Sequence, residues 1–201
     1  MRVASEPTSR RTMNGLWALL VIAFRGIPVD WEYSGTGSFH QGGSIYLNHR
    51  TPTKEAAVVM VHEAQHAETY KSGRMPDATS VDRATFVTRM IADEAEASTR
   101  QMEASLGMIA QGDTAADTGQ PQWMIDAFKA AYDAEVAKLR AEGVAEAAIP
   151  RRARDTVRDG LVTRWFKDGT YRTSTSGTTA LTYEQHYGAE WDRLNTVSAT
   201  P

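Results

Sequence analysis

The sequence predicts an α+β chain, mostly helical, with a short β-sheet leading into its most distinctive helix. Three observations carry this. Four long runs, roughly 53–70, 81–110, 123–140 and 147–167, read as helices, with apolar residues at helical spacing in the second and third. Two short stretches, 28–34 and 44–48, have strand character and flank a segment rich in Gly and Ser. No internal repeat interrupts this order.

The elements follow in sequence. Thr8 to Phe24 reads as a helix ended by Gly26, and its nine consecutive apolar residues from Leu16 to Phe24 fall far short of the roughly 20 that cross a bilayer. A buried N-terminal helix is therefore expected, with no membrane span. Ser9-Arg10-Arg11 faintly resembles a twin-arginine export signal, but no small-x-small cleavage site follows. The expected location is soluble, either cytoplasmic or reached through a secretion system without a cleavable signal peptide. Pro28-Val-Asp-Trp-Glu-Tyr-Ser34 alternates apolar and polar residues, so Trp31 and Tyr33 are expected to pack a sheet. Gly35 to Gly43 reads as a turn, and Ser44-Ile-Tyr-Leu-Asn48 as a second strand.

Thr53 to Tyr70 contains no Gly or Pro, is rich in Ala, follows Thr51-Pro52 and stops at Ser72-Gly73. It reads as one helix. After the break from Ser72 to Pro76, Val81 to about Ala110 reads as a long helix. At 100° per residue, Phe86, Val87, Met90, Ile91, Ala97, Ser98 and Met102 share one side of it, and Glu94 lies near the middle of that stripe. Asp93 falls at the edge, whereas Glu96 points to the opposite face with Arg100 and Glu103. Gln111 to Gln120 has the composition of a flexible connection. Residues 1–110 are thus expected to form one lobe, 111–120 a linker and 121–201 a C-terminal helical lobe packed on the same domain. Beyond the linker, Trp123 to about Arg140 carries a stripe of Phe128, Tyr132, Val136 and Leu139, and Ala147 to Lys167 forms the next helix, ended by Asp168-Gly169. Thr170 to Thr182 reads as a loop or a short edge pair, before a final helix from Tyr183 to Leu194.

Composition narrows the chemistry. At 201 residues, 41% hydrophobic and 23% charged, the chain has globular values and can bury a core without a metal. It has no Cys, which removes disulfides and thiolate metal sites. A net charge of −3 with mixed signs argues against a nucleic-acid surface, and the basic run Arg151-Arg152-Ala153-Arg154 reads as a solvated helix face.

One stretch names a reaction type. His62-Glu63-Ala64-Gln65-His66 places two imidazoles four residues apart on one helix face, with a carboxylate directly after the first. Both rings can point at one ion while Glu63 leans toward a water on it, the arrangement of zinc-assisted hydrolysis. A catalytic zinc takes three protein ligands and keeps a fourth position open. Downstream candidates for the third are Asp77, Asp93, Glu94, Glu96 and His186; upstream ones are His40 and His49, whose positions suit turn or surface histidines better. Burial favours Glu94, since a carboxylate on an apolar face is costly unless paired or bound to a cation. A short break between the two helices lets that face fold back against His62 and His66.

H-E-x-x-H on one helix with a ligand Glu on the next resembles the glutamate zincins, the thermolysin-like zinc metallopeptidases. In detail, Ile45-Tyr46-Leu47-Asn48, Val61-His62-Glu63-Ala64-Gln65-His66-Ala67 and Asp93-Glu94-Ala95-Glu96-Ala97 resemble a bacterial family of metallopeptidase domains, over roughly residues 8 to 110. The resemblance implies a minimal zincin-like core, with Zn2+ held by His62, His66 and Glu94 and with Glu63 as general base in the hydrolysis of peptide or protein substrates. It would suit a bacterial effector or toxin module. It also implies an edge strand before the motif helix, so that Ser44 to Asn48 would offer backbone hydrogen bonds to extended substrate. Two positions depart from the family pattern: Glu96 stands where an Asp is expected, and Ser98 where an acidic residue would orient a ligand His. For the oxyanion donor, Tyr183 and His186 are the candidates, sharing a helix face with Tyr187; the other expectation is that all three are ordinary packing and capping residues, as aromatic stripes at this spacing usually serve cores. The rival expectation is a non-catalytic binding module on the same scaffold.

Overall fold

The structure is a computed structural model that describes residues 13–173 and 180–197. The expected helix start at Thr8, the Arg10-Arg11 pair and the middle of the 170–182 stretch lie outside the described residues. The chain is α+β and mostly helical, as its sequence predicts. Its elements are α1 (Met13–Arg25), β1 (Val29–Tyr33), β2 (Phe39–Gln41), β3 (Ser44–Asn48), α2 (Thr53–Lys71), α3 (Arg83–Ile109), α4 (Gln122–Ala141), α5 (Ile149–Val157), α6 (Thr163–Lys167) and α7 (Tyr183–Val197). No helix among the described residues is long and apolar enough to cross a membrane.

Two compact units account for the chain, Met1–Lys71 with Ala97–Ala130, and Ser72–Glu96 with Ala131–Pro201, so α3 and α4 supply residues to both. This division differs from a cut at 111–120. That segment lies inside the first unit, where Ala116–Thr118 forms a 3-10 turn, Ala115 and Thr118 are buried, and Lys54 of α2 contacts Asp113 at 2.5 Å.

The first unit holds the sheet, in the order β1-β3-β2. β2 and β3 form an antiparallel hairpin whose two-residue loop is Gly42-Gly43, at φ 57° and 81°. Both positive angles belong to the turn that matches strand twist, and glycine reaches them without the Cβ clash other residues meet. The stretch expected to be only a turn therefore contains a strand. β1 joins β3 in parallel, with a register shift between Asp30 and Tyr33, where Asp30 Oδ1 accepts the Glu32 N–H at 2.9 Å. That shift breaks the expected alternation. Tyr33 packs edge-on to Phe39 and Tyr46, but Trp31 is left 55% exposed and does not pack the sheet.

Ile45 and Leu47 of β3, Met60, Val61, Ala64 and Ala67 of α2, Ala18 of α1 and Ala104 of α3 form the core here. The fully buried alanines of α2 let β3 and α1 approach closely. α1 closes in a Schellman turn, the Ile27 N–H donating to the Ile22 carbonyl at 2.9 Å. The expectation that α1 is buried is corrected: Trp17, Ala18, Val21 and Ile22 face the core, whereas Leu16, Leu19, Leu20 and Phe24 are exposed. A helix apolar all round meets the core on one side only, and its other side stays uncovered by the described residues.

In the second unit, Val136 and Leu139 of α4 pack on Ile149 and Ala153 of α5. The expected single helix over 147–167 is interrupted by one π-helical turn, Arg158–Val162; the Thr163 N–H and Oγ1 both donate to the Arg158 carbonyl. Arg151 is solvent-exposed, but Arg154 is only 16% exposed and turns inward onto Glu96, so the basic run is not wholly a solvated face. A single antiparallel bridge, Arg172 with Thr182, stands at the ends of the Thr-rich stretch.

Candidate metal centre

α2 carries the motif because its two faces differ. Met60, Val61, Ala64 and Ala67 go to the core, which leaves His62 and His66, four residues apart, half-buried on the other side. Their Nε2 atoms are 3.0 Å apart, so the rings converge on one point. Glu63, directly after His62, is buried at 7% exposure.

Two consecutive side chains of α3 register it against α2. Arg100 lies 3.8 Å over the Trp17 ring, and its Nε–H donates to Gln65 Oε1 at 3.0 Å. The next residue, Gln101, is buried and places Oε1 3.0 Å from His62 Nδ1. An amide oxygen only accepts, so the His62 Nδ1 that faces it is the donor, and Nε2 is the nitrogen left to offer a lone pair to an ion. That nitrogen faces His66 Nε2 at 3.0 Å.

Glu94, on α3, is buried at 7% exposure, as the helical-face argument predicts. Its Oε1 accepts a hydrogen bond from the Tyr187 hydroxyl of α7. Burial and then the neighbouring Glu94 carboxylate push the Tyr187 hydroxyl well above its ordinary pKa, so it stays a donor. Each of His62, His66 and Glu94 offers one ligand atom, and these atoms lie within 4.8 Å of one another. Two imidazole nitrogens and one carboxylate oxygen are a donor set that suits zinc, and tetrahedral bonds of about 2.0–2.1 Å would set donors about 3.3 Å apart. The 3.0 Å nitrogen separation is close to that value, while the group as a whole spans up to 4.8 Å, so these three residues could hold a metal ion.

The other candidate ligands are engaged elsewhere. Glu96 accepts from Arg154 at 2.6 Å and Arg158 at 3.0 Å; these two side chains, together with the Asp159 contact of Arg158, hold a half-buried ionic cluster. Asp77 caps its own turn through Thr79 and Ser80, which holds its carboxyl below the usual range. His40 Nε2 accepts the Gly43 N–H at 3.1 Å, and His49 Nδ1 donates to the Tyr33 carbonyl at 3.0 Å, so both are turn histidines. Asp93 is buried beside Glu94 in sequence and is not in the convergent group.

Of the aromatic trio on α7, Tyr187 reaches Glu94 with its hydroxyl. Tyr183 turns its ring onto Phe166 at 4.7 Å, and His186 is exposed with its ring 5.0 Å from that of Tyr187. The structure also corrects the expected substrate edge. β3 is the central strand, hydrogen-bonded on both sides, because the Gly42-Gly43 hairpin lays β2 along the side that would otherwise be open. Gln101 is the contact that sequence reasoning missed, its only signal a helix face shared with Glu94; Tyr187 was named with Tyr183 and His186, but its bond to Glu94 was not foreseen. Ser98 is buried at 2% exposure and its Oγ has no hydrogen-bond partner among the described residues. No protein-family model, curated protein or solved structure matches the chain.

Proposed function

We propose that the chain is a zinc-dependent hydrolase of peptide or other amide bonds, with His62, His66 and Glu94 as the metal ligands and Glu63 as the general base. The convergence of those three donors within 4.8 Å is the observation that supports it most. A bound zinc would lower the pKa of a water toward 7 and polarise the scissile carbonyl. The chain's own residues would do the rest. The Glu63 carboxylate takes the proton of the attacking water and delivers it to the leaving amine nitrogen, so one group serves as base and then acid. Its place directly after His62 on α2 and its burial favour that role. Tyr183 and His186 are the candidate donors to the developing oxyanion, from a helix whose Tyr187 already contacts a ligand.

The test is Glu63→Gln. The variant is expected to keep one equivalent of zinc and to lose hydrolysis, whereas a binding module would hold metal with nothing to lose. The reading fails if wild-type protein with one equivalent of zinc cleaves nothing across a broad denatured-proteome substrate set.

A further inference from the structure

Resting on that zinc reading, we infer that Gln101 and Tyr187 are the positioning residues of the metal centre, and that they replace the single acidic residue that Ser98 lacks. A ligand histidine must present one particular nitrogen, and what holds the other nitrogen decides which. Gln101 Oε1, 3.0 Å from His62 Nδ1, can only accept, so it fixes the tautomer whose Nε2 faces His66 Nε2. Gln101 is 6% exposed, which leaves water little chance to compete for that nitrogen. Arg100, held by Gln65 and Trp17, keeps this part of α3 in register with α2. On the carboxylate ligand the Tyr187 hydroxyl plays the complementary part, binding Glu94 Oε1 and so fixing the orientation of the carboxylate.

The chemistry differs from an acid-based outer shell in one consequential way. A carboxylate on His62 would add a negative charge next to the ion and raise the basicity of the imidazole. An amide and a phenol add none. The centre therefore carries two histidines, one carboxylate and no further formal charge from these partners, so affinity for zinc is lower and the ion's pull on electrons greater than with an acid in that place.

Zinc affinity, measured by competition with a chromophoric chelator, tests this without any substrate. Gln101→Leu and Tyr187→Phe should each weaken binding about 10–100-fold, with the metal-free thermal midpoint followed separately to exclude misfolding. Gln101→Glu, which restores an acceptor and adds a charge, should bind at least as tightly as wild type. The visible absorption of the Co2+-loaded protein should change in Gln101→Leu and recover in Gln101→Glu, a response that general loss of packing would not give. The inference is overturned if Gln101→Leu and Tyr187→Phe bind zinc as wild type does, or if Gln101→Glu binds as weakly as Gln101→Leu. If wild type binds no tighter than His62→Ala, the zinc reading falls and this inference with it; normal wild-type binding with unaffected Gln101 and Tyr187 variants sinks the inference alone.

Discussion

Glu94 and Glu96 stand two residues apart on α3, and their roles separate cleanly. Glu94 is buried among the site's donors, whereas Glu96 neutralises Arg154 and Arg158. Glu94→Ala is expected to lower zinc affinity by more than about 100-fold, beyond the usual cost of losing an outer contact, as seen by elemental analysis after dialysis. Glu96→Ala should leave zinc occupancy nearly intact but remove the carboxylate shared by two half-buried guanidiniums, which keep Asp155 and Asp159, at about 2 kcal/mol for charged hydrogen bonds lost. The thermal midpoint would fall by about 4–8 °C. The reverse pattern would overturn the assignment. This distinction was legible in sequence because it needs only the 100° step of one helix. The contacts of Gln101 and Tyr187 were not, because a hydrogen bond to His62 or Glu94 depends on how α3 and α7 are set, and no local pattern encodes that.

At the level of elements, β3 and α2 were readable end to end because their apolar patterns are local, while β2 was hidden by its neighbours. Phe39-His40-Gln41 is too short to show a period, and the glycines around it mimic a plain loop. The Gly42-Gly43 turn then decides the sheet order and takes β3 off the edge. Gly43→Ala should cost about 1–2 kcal/mol for a side chain forced into the left-handed region, and its Cβ would also stand 2.8 Å from Lys71 Cε. Thermal unfolding compared with Gly42→Asn, a residue that tolerates that region, provides the check; equal loss in both would refute the turn argument. The start of α3 makes a pH-dependent prediction. Asp82 accepts from the Thr85 Oγ1 at 2.7 Å and the Thr85 N–H at 2.9 Å, and these bonds, side chain first, hold its carboxyl below the usual value. A lowered folded-state pKa gives stability that is complete above the unfolded value near 3.9 and is lost as pH falls through the folded one. The midpoint difference between wild type and Asp82→Ala should therefore be present at pH 7 and shrink below about pH 4. A difference unchanged at pH 3 would exclude the cap.

For the molecule as a whole, metal and fold are coupled by mass action. Each unit has an apolar cluster of its own, unlike a small thiolate-bound domain whose core is the metal site itself. An ion held by His62 and His66 of α2 and Glu94 of α3 would nevertheless bind the native state alone. At a free zinc concentration 100 times the dissociation constant, that linkage adds about 2.7 kcal/mol, or about 5–10 °C in thermal midpoint for a chain of this length. Three outcomes separate the contributions. Wild type should gain the full shift, His62→Ala and Glu94→Ala should gain almost none, and Glu63→Gln should gain as much as wild type, because a base that handles the proton is not a ligand. A shift in wild type matched by His62→Ala would locate the zinc at some other group of the chain and remove the physical basis for hydrolysis at this centre.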